Sequence, residues 1–499
     1  MSQHVEIGAS RLLPGDVARI ARSKTTVGIA AAAWDRIAAS HAMLERLAGR
    51  GEAIYGVSTG LGAAVDTRIA PDAAAQQRVP LARAVGVGPR AREDEVRAMM
   101  VARVARFATG RSAVSRQTVE ALIGLLNKGV HPVVPMIGSI GEADLAPLAH
   151  IASVLMGLGN AEYAGEIMAG AEALKRAGLK PPAFGPKDGI ALVSSNAASV
   201  GLAALVVVDL RRTLSGLVAA AALSFEGYRA SVAPLLPDAI DLRPVAGQAA
   251  IAEALMRAFD GGDLTKPNAA RRLQDPLSFR CVAPVYGACL GALSAAGDLV
   301  ELELNSSDDN PAILSESGIS RPNANFDATH LALAFETLGL ALTRVAAMSG
   351  QRIMRLMSPG SSELPRFLSP IQEGRNGFAT VQKTVSALVA DIQHRATPMP
   401  AFIMPVADGV EDYGTMALPI VQKTGEIAAR VQLLSAIELM AAAQACDLRG
   451  GIVLGRETKA IHAAVRTAVA TLHEDRPASP DIEAIDALIS QGAFDRALP

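Results

Sequence analysis

Cysteine and aromatic residues are what this sequence has least of. Three cysteines, Cys281, Cys289 and Cys446, stand in 499 residues, and no metal-ligand spacing relates them. An odd, small number argues against a disulfide framework and fits a reducing compartment, so a cytoplasmic location is expected. Aromatic residues make up only 3% of the chain and the formal net charge is -2. No basic stripe with interleaved aromatics is present, which leaves nucleic-acid binding little support. The one modest basic run, at Arg271 and Arg272, reads as a solvated face. The opening MSQHVEIGAS has no apolar h-region, so no signal peptide is expected. The apolar run 200–208 is interrupted by Asp209, Arg211 and Arg212. It is too short to cross a bilayer and reads as a buried helix, so no membrane partner is expected. The eight histidines are scattered, and HExxH, P-loop, Rossmann and GxSxG patterns are all absent. Neither a metal nor a cofactor is therefore expected.

What is abundant is alanine and leucine. Half the residues are hydrophobic although few are aromatic, a balance that favours helices over sheets. The first fifth alternates short helical segments with Gly-rich loops, notably 54–66 and 131–144. From about residue 190, apolar residues at helical spacing run through 198–226, 286–304, 328–357, 376–394 and 416–447. The expected architecture is an all-α chain: an N-terminal domain over 1–195, then a long-helix bundle over 196–499 that ends in smaller capping helices. Such a bundle buries further surface against copies of itself, so a homo-oligomer is expected.

Several residues suit chemistry. Tyr55 lies among glycines, on backbone expected to be mobile enough to close over a ligand. A phenolate there is a candidate base. Arg280, in LQDPLSFRC, offers the two parallel donors that grip a carboxylate. ELNSSDDNP, residues 303–311, is dense in polar groups, most of which helix capping and turn chemistry account for.

Taken together, the segments resemble the aromatic amino acid lyase family, with histidine ammonia-lyases the most similar branch. YGVSTGLG resembles the family's YGxNTGFG tyrosine loop. GSIG…DLAPLAH, QDPLSFRC, ELNSSDDNP, NANFDATHLALAFE, GQRIMRL and VEDYGTM match further family blocks in the same order. The resemblance implies an ammonia-lyase-like helical fold, a homotetramer with active sites shared between subunits, and anti elimination of a β-proton and an amine from a small amino-acid-like substrate.

The departures are as informative. The family carries Ala-Ser-Gly inside GSxGASGDLAPL and cyclises it into a methylidene-imidazolone electrophile. Here Glu142 and Ala143 occupy that place. The family's tyrosine before SLRC is Leu277, its Asn-Gly pair is Ser194-Ser195, and its histidine in NFHG is Asp327. Two explanations compete. One is decay into a non-catalytic scaffold, although Tyr55, Asn325 and Arg280 all remain. The other is a changed leaving group. A trimethylammonium group has no lone pair with which to attack the electrophile, and it departs as a neutral amine without help.

The position that reads the substrate ring in the family is Ala82-Arg83 here, and Lys383 replaces an apolar or aromatic residue. Two added cations suit an imidazole bearing a thiolate or thione; balancing Glu411 and Asp327 is the alternative reading. In the resulting scheme Tyr55 removes the β-proton, while Arg280 and Asn325 hold the carboxylate. Lys383 and Arg83 face the ring substituent. Glu411, Glu142 and Asp327 face the leaving cation, with Tyr413 and Phe326 adding cation–π contact and Ser194 completing the wall.

Overall fold

In the computed structural model, residues 4–498 are described, apart from 24, 70–72, 246, 372 and 402. The chain divides by contact into two compact units. The first comprises residues 1–208, 296–333 and 399–422, and the second residues 209–295, 334–398 and 423–499.

The five long apolar segments are helices: Ala197–Tyr228, Val282–Leu304, Thr329–Leu356, Val381–Arg395 and Ala417–Arg449. The structure is mainly helical, as the all-α expectation required. The run 200–208 is only part of a 32-residue helix, because Asp209, Arg211 and Arg212 turn with the helix rather than end it. Among the described residues, four helical spans could cross a bilayer by length and composition alone, Asp188–Tyr228 among them. The apolar window of that span is 89% buried within the protein, so its hydrophobicity is that of a core helix. Val282–Leu304 and Thr329–Leu356 have only 33% and 50% of their apolar windows buried.

In the first unit, helix Glu93–Ala108 is buried continuously from Val96 to Ala108. Its Met, Val, Ala and Phe side chains supply core, each large one worth ~1.5–3 kcal/mol on burial. Three arginines interrupt it, and each finds partners. Arg97 donates to the Ile20, Ala21 and Leu126 carbonyls. Arg103 pairs with Asp309 at 2.9 Å, and Arg106 with Asp308 at 3.0 Å and Glu303 at 2.9 Å. Lys187, also fully buried, donates to the Ser112 carbonyl at 2.9 Å and lies 3.8 Å from Asp309. The expectation that capping explains ELNSSDDNP is thus corrected. Asp308 and Asp309 are buried counter-charges for cations inside the unit, which a local reading of turn residues does not reveal.

Short strands stitch the loops. Val87–Arg90 pairs antiparallel with Pro135–Ile137, which draws the segment after Arg83 against the start of the 138–144 loop. Ala312–Leu314 pairs with Ile319–Arg321 and closes the turn that precedes Phe326 and Asp327.

In the second unit, Phe279 stacks on Tyr228 at 4.3 Å and meets Phe225 edge-on at 5.4 Å. Arg352 and Glu438 form a fully buried pair at 2.6 Å, joined by the Tyr286 and Ser224 hydroxyls. Arg271 does not belong to a solvated face. Its guanidinium lies over the Tyr228 ring at 4.5 Å and donates to the Tyr228 and Ser361 carbonyls, so it covers apolar surface as it binds polar groups.

Candidate active site

A cavity of about 380 Å³ opens within the first unit. Tyr55, Arg83, Glu142, Ser194, Phe326, Glu411 and Tyr413 line it, so seven residues expected from separate sequence segments meet there. Asp327 adjoins them through a backbone bridge to Glu142.

The start of the tyrosine loop is anchored in the core. Ile54 and Val57, flanking Tyr55, are buried in a cluster with Met43, Leu44, Leu47, Ala113 and Ile313. Gln76 donates to the Gly56 carbonyl at 2.8 Å. Gly56 has φ +69°, and a Cβ there would stand 2.6 Å from Ile190 Cδ1, so glycine allows both the turn and its close packing. The Gly62 N–H donates to Tyr55 Oη at 3.0 Å. Arg83 is held by the Val79 carbonyl at 3.1 Å. Burial lowers its guanidinium from the ordinary arginine value, while Tyr55 and Glu411 oppose that shift, so Arg83 shares an electrostatic neighbourhood with both.

The segment 138–144 is gripped from two sides. Asp144, fully buried, accepts from Ser139 Oγ at 2.9 Å, Ser199 N at 2.6 Å and Ser199 Oγ at 2.9 Å. Burial nonetheless leaves its carboxyl raised. On the other side, Thr415 donates to the Gly141 carbonyl at 2.8 Å and Met416 N to the Ile140 carbonyl at 2.8 Å. A Cβ on Gly141 would sit 2.1 Å from Thr415 Oγ1, which only glycine avoids. These contacts fix Glu142 beside the loop that bears Glu411 and Tyr413. Between Gly141 and Asp144 there is neither serine nor glycine, so the ring closure implied by the family resemblance has no residues to form from. No step here runs through such a group.

Burial pushes the Glu142 carboxyl up to about 8, and Asp327 and Glu411 nearby add to the shift. Asp327 accepts from Thr329 N at 2.9 Å and Thr329 Oγ1 at 3.1 Å. Thr329 Oγ1 in turn meets the Tyr413 hydroxyl at 3.0 Å. Behind the wall, Asp308 accepts from Ser195 Oγ at 2.9 Å and Asn196 N at 2.6 Å, and Asn196 donates to the Phe326 carbonyl. The buried ion pairs therefore hold the backbone that presents Ser194 and Phe326.

Five expected residues do not line this cavity, Asp327 being held beside it by its bridge to Glu142. Ala82 is exposed and borders a smaller cavity with Gln76 and Arg83. Asn325 is exposed, with its backbone N–H on Asn323 Oδ1 at 2.9 Å. Arg280 lies in the second unit, where the Asp275 carbonyl and Gln274 Oε1 accept from its Nε and one terminal nitrogen at 2.8 and 3.0 Å. Arg352 donates to the Ser278 carbonyl and so pins the turn that carries Arg280. Lys383 is exposed, also in the second unit. Conversely, Asn310 and Asp412 line the cavity and were not singled out as site residues. Both lie inside matched blocks, ELNSSDDNP and VEDYGTM, and neither has a residue type that marks a role alone.

The chain is 36% identical over 482 residues to a histidine ammonia-lyase of Gloeobacter violaceus, covering 96% of this chain and 94% of that protein. Among solved structures, the ergothionase of Treponema denticola, an ergothioneine-degrading enzyme crystallised with desmethyl-ergothioneine sulfonic acid, superposes with a TM-score of 0.92. It is 31% identical, and the match covers 99% of each chain. A tyrosine aminomutase of Streptomyces globisporus gives a TM-score of 0.92 at 31% identity, over 100% of this chain and 98% of that one. The sequence profile of the aromatic amino acid lyases matches residues 12–467, and the chain belongs to that family.

Proposed function

We propose that this lyase eliminates trimethylamine from ergothioneine to give thiourocanate, with no methylidene-imidazolone group. The observation that carries the reading is the carboxyl of Glu142 in the cavity that holds Tyr55, with Asp327 bridged to it, where the family resemblance would place an electrophile. An electrophile serves a substrate whose amine has a lone pair and leaves poorly. A carboxyl pair serves one whose nitrogen is already a permanent cation. The likeness to the Treponema denticola enzyme supports the same substrate.

Tyr55 takes the β-proton as phenolate, with the Gly62 N–H on its oxygen. As the C–N bond breaks, its electron pair leaves with trimethylamine and a carbon–carbon double bond forms. Glu142, Asp327 and Glu411 hold the cation before it leaves, and Tyr413 and Phe326 present ring faces to its methyl groups. Arg83 faces the ring sulfur and accepts charge spreading from the β-carbon. Arg280 and Asn325 bind the carboxylate and Lys383 the ring, supplied by neighbouring copies in a homotetramer. The partly uncovered apolar helices Val282–Leu304 and Thr329–Leu356 support such an assembly.

Identity to histidine ammonia-lyases favours a second reading, ammonia elimination from histidine. Incubating the protein with ergothioneine, hercynine and histidine, while assaying trimethylamine and conjugated-acid absorbance, separates the two. Trimethylamine from ergothioneine is the expected result. Hercynine preferred over ergothioneine removes the ring-sulfur argument, histidine turnover removes the leaving-group argument, and no turnover of any favours a non-catalytic scaffold or a lyase for another quaternary amino-acid betaine.

A further inference from the structure

We propose that Glu142 and Asp327 hold one proton between them in the free protein, and release it to solvent when a quaternary ammonium group enters the cavity. The inference rests on the trimethylammonium reading above and adds a proton linkage to it.

The geometry assigns the proton. A backbone bridge makes Glu142 and Asp327 direct cross-strand neighbours, and two carboxylates so placed favour a proton on one of them. Both Asp327 oxygens already accept from Thr329, one from its N–H and one from its hydroxyl, which suits the ionised form. Glu142 has no such support. Its buried Oε1 has no hydrogen-bond partner, a costly arrangement for a charged carboxylate. The proton therefore resides on Glu142, in keeping with the upward push that burial, Asp327 and Glu411 give it.

The other charged or titratable groups around the pair are Tyr55, Arg83, Glu411, Asp412 and Tyr413 on the cavity wall. Asp144 lies behind, committed to Ser139 and Ser199, and His330 is exposed on the helix that begins at Thr329. Arg83 is the one cation among the cavity-lining residues, and Tyr55 and Glu411 are its electrostatic partners. No cation among these groups neutralises the acid pair. A quaternary ammonium has no N–H to donate, so it cannot share the proton; its field favours two carboxylates over one, and the proton leaves. The balance is one cation bound for one proton transferred to buffer. A primary ammonium can instead donate hydrogen bonds to the pair.

Calorimetric titration of the intact protein with tetramethylammonium chloride, near pH 7 in two buffers of different ionisation enthalpy, counts the protons released. The expected count is close to one, with affinity rising about tenfold per pH unit between pH 6 and 7 and levelling above pH 8. Glu142→Gln and Asp327→Asn preserve shape and should bind with no proton release and a flat pH profile. A count near zero in the native protein, an unchanged count in Glu142→Gln, or no tetramethylammonium binding overturns the proposal. Ergothioneine turnover with a zero count removes the shared proton and leaves the proposed function standing. A count near one without turnover retains the linkage and removes that substrate.

Discussion

Gly62 and Tyr55 are joined by a hydrogen bond from the glycine's backbone N–H to the phenol oxygen, at 3.0 Å. The oxygen is thus an acceptor with an aimed donor, the geometry that holds a phenolate in place. Tyr55→Phe deletes the oxygen and little packing. It should lower kcat by about 10²–10⁴-fold, leave the thermal midpoint nearly unchanged, and leave substrate binding measurable. A large fall in thermal midpoint would show that the residue is structural.

Arg280 keeps a terminal nitrogen beyond those engaged by Asp275 and Gln274. If it grips a substrate carboxylate in a neighbouring copy's cavity, Arg280→Met should raise KM by roughly 10- to 100-fold, the value of a charge-assisted hydrogen bond. Co-expressing Tyr55→Phe with Arg280→Met chains should restore turnover at native KM, which neither variant gives alone, because some sites then combine an intact Tyr55 with an intact Arg280. Mixed oligomers that gain no such turnover would confine each site to one chain.

Asp309 is buried against Arg103, Lys187 and the Ser112 hydroxyl. Removing it strands two buried cations. Asp309→Ala should cost about 3–5 kcal/mol in denaturant-induced unfolding, far beyond an exposed substitution. A loss within ~0.5 kcal/mol would contradict the packing described.

Glu142 carries a carboxyl raised from 4.5 to about 8 in the folded protein. A raised acid is favoured as its neutral form in the fold, so its stabilisation is fully present below pH 4.5 and declines as pH rises towards 8. Glu142→Gln should match the native thermal midpoint near pH 5 and exceed it by about 1–2 °C near pH 9, a modest gain because the residue is only half-buried. A variant that loses stability as pH rises would reverse the sign.

The long helices were legible because their apolar spacing is regular, and the bounds of Ala197–Tyr228 and Ala417–Arg449 lie within a few residues of the pattern. The cavity residues were legible through ordered motifs, since Tyr55, Glu142, Phe326 and Glu411 are more than sixty residues from one another in sequence. The ion pairs were not legible. Arg103 and Asp309 are 206 residues apart, and nothing in either segment names the other. The anchoring of Tyr55's neighbours was hidden too, because Ile54 and Val57 look ordinary until Leu44 and Ile313 close over them.

The central claim concerns which amine leaves. Supplying equal concentrations of ergothioneine and histidine in one reaction, and measuring trimethylamine and ammonia together, tests it most directly. The account predicts trimethylamine with thiourocanate absorbance and no ammonia above the Tyr55→Phe control. Ammonia with urocanate, and no trimethylamine, would contradict it.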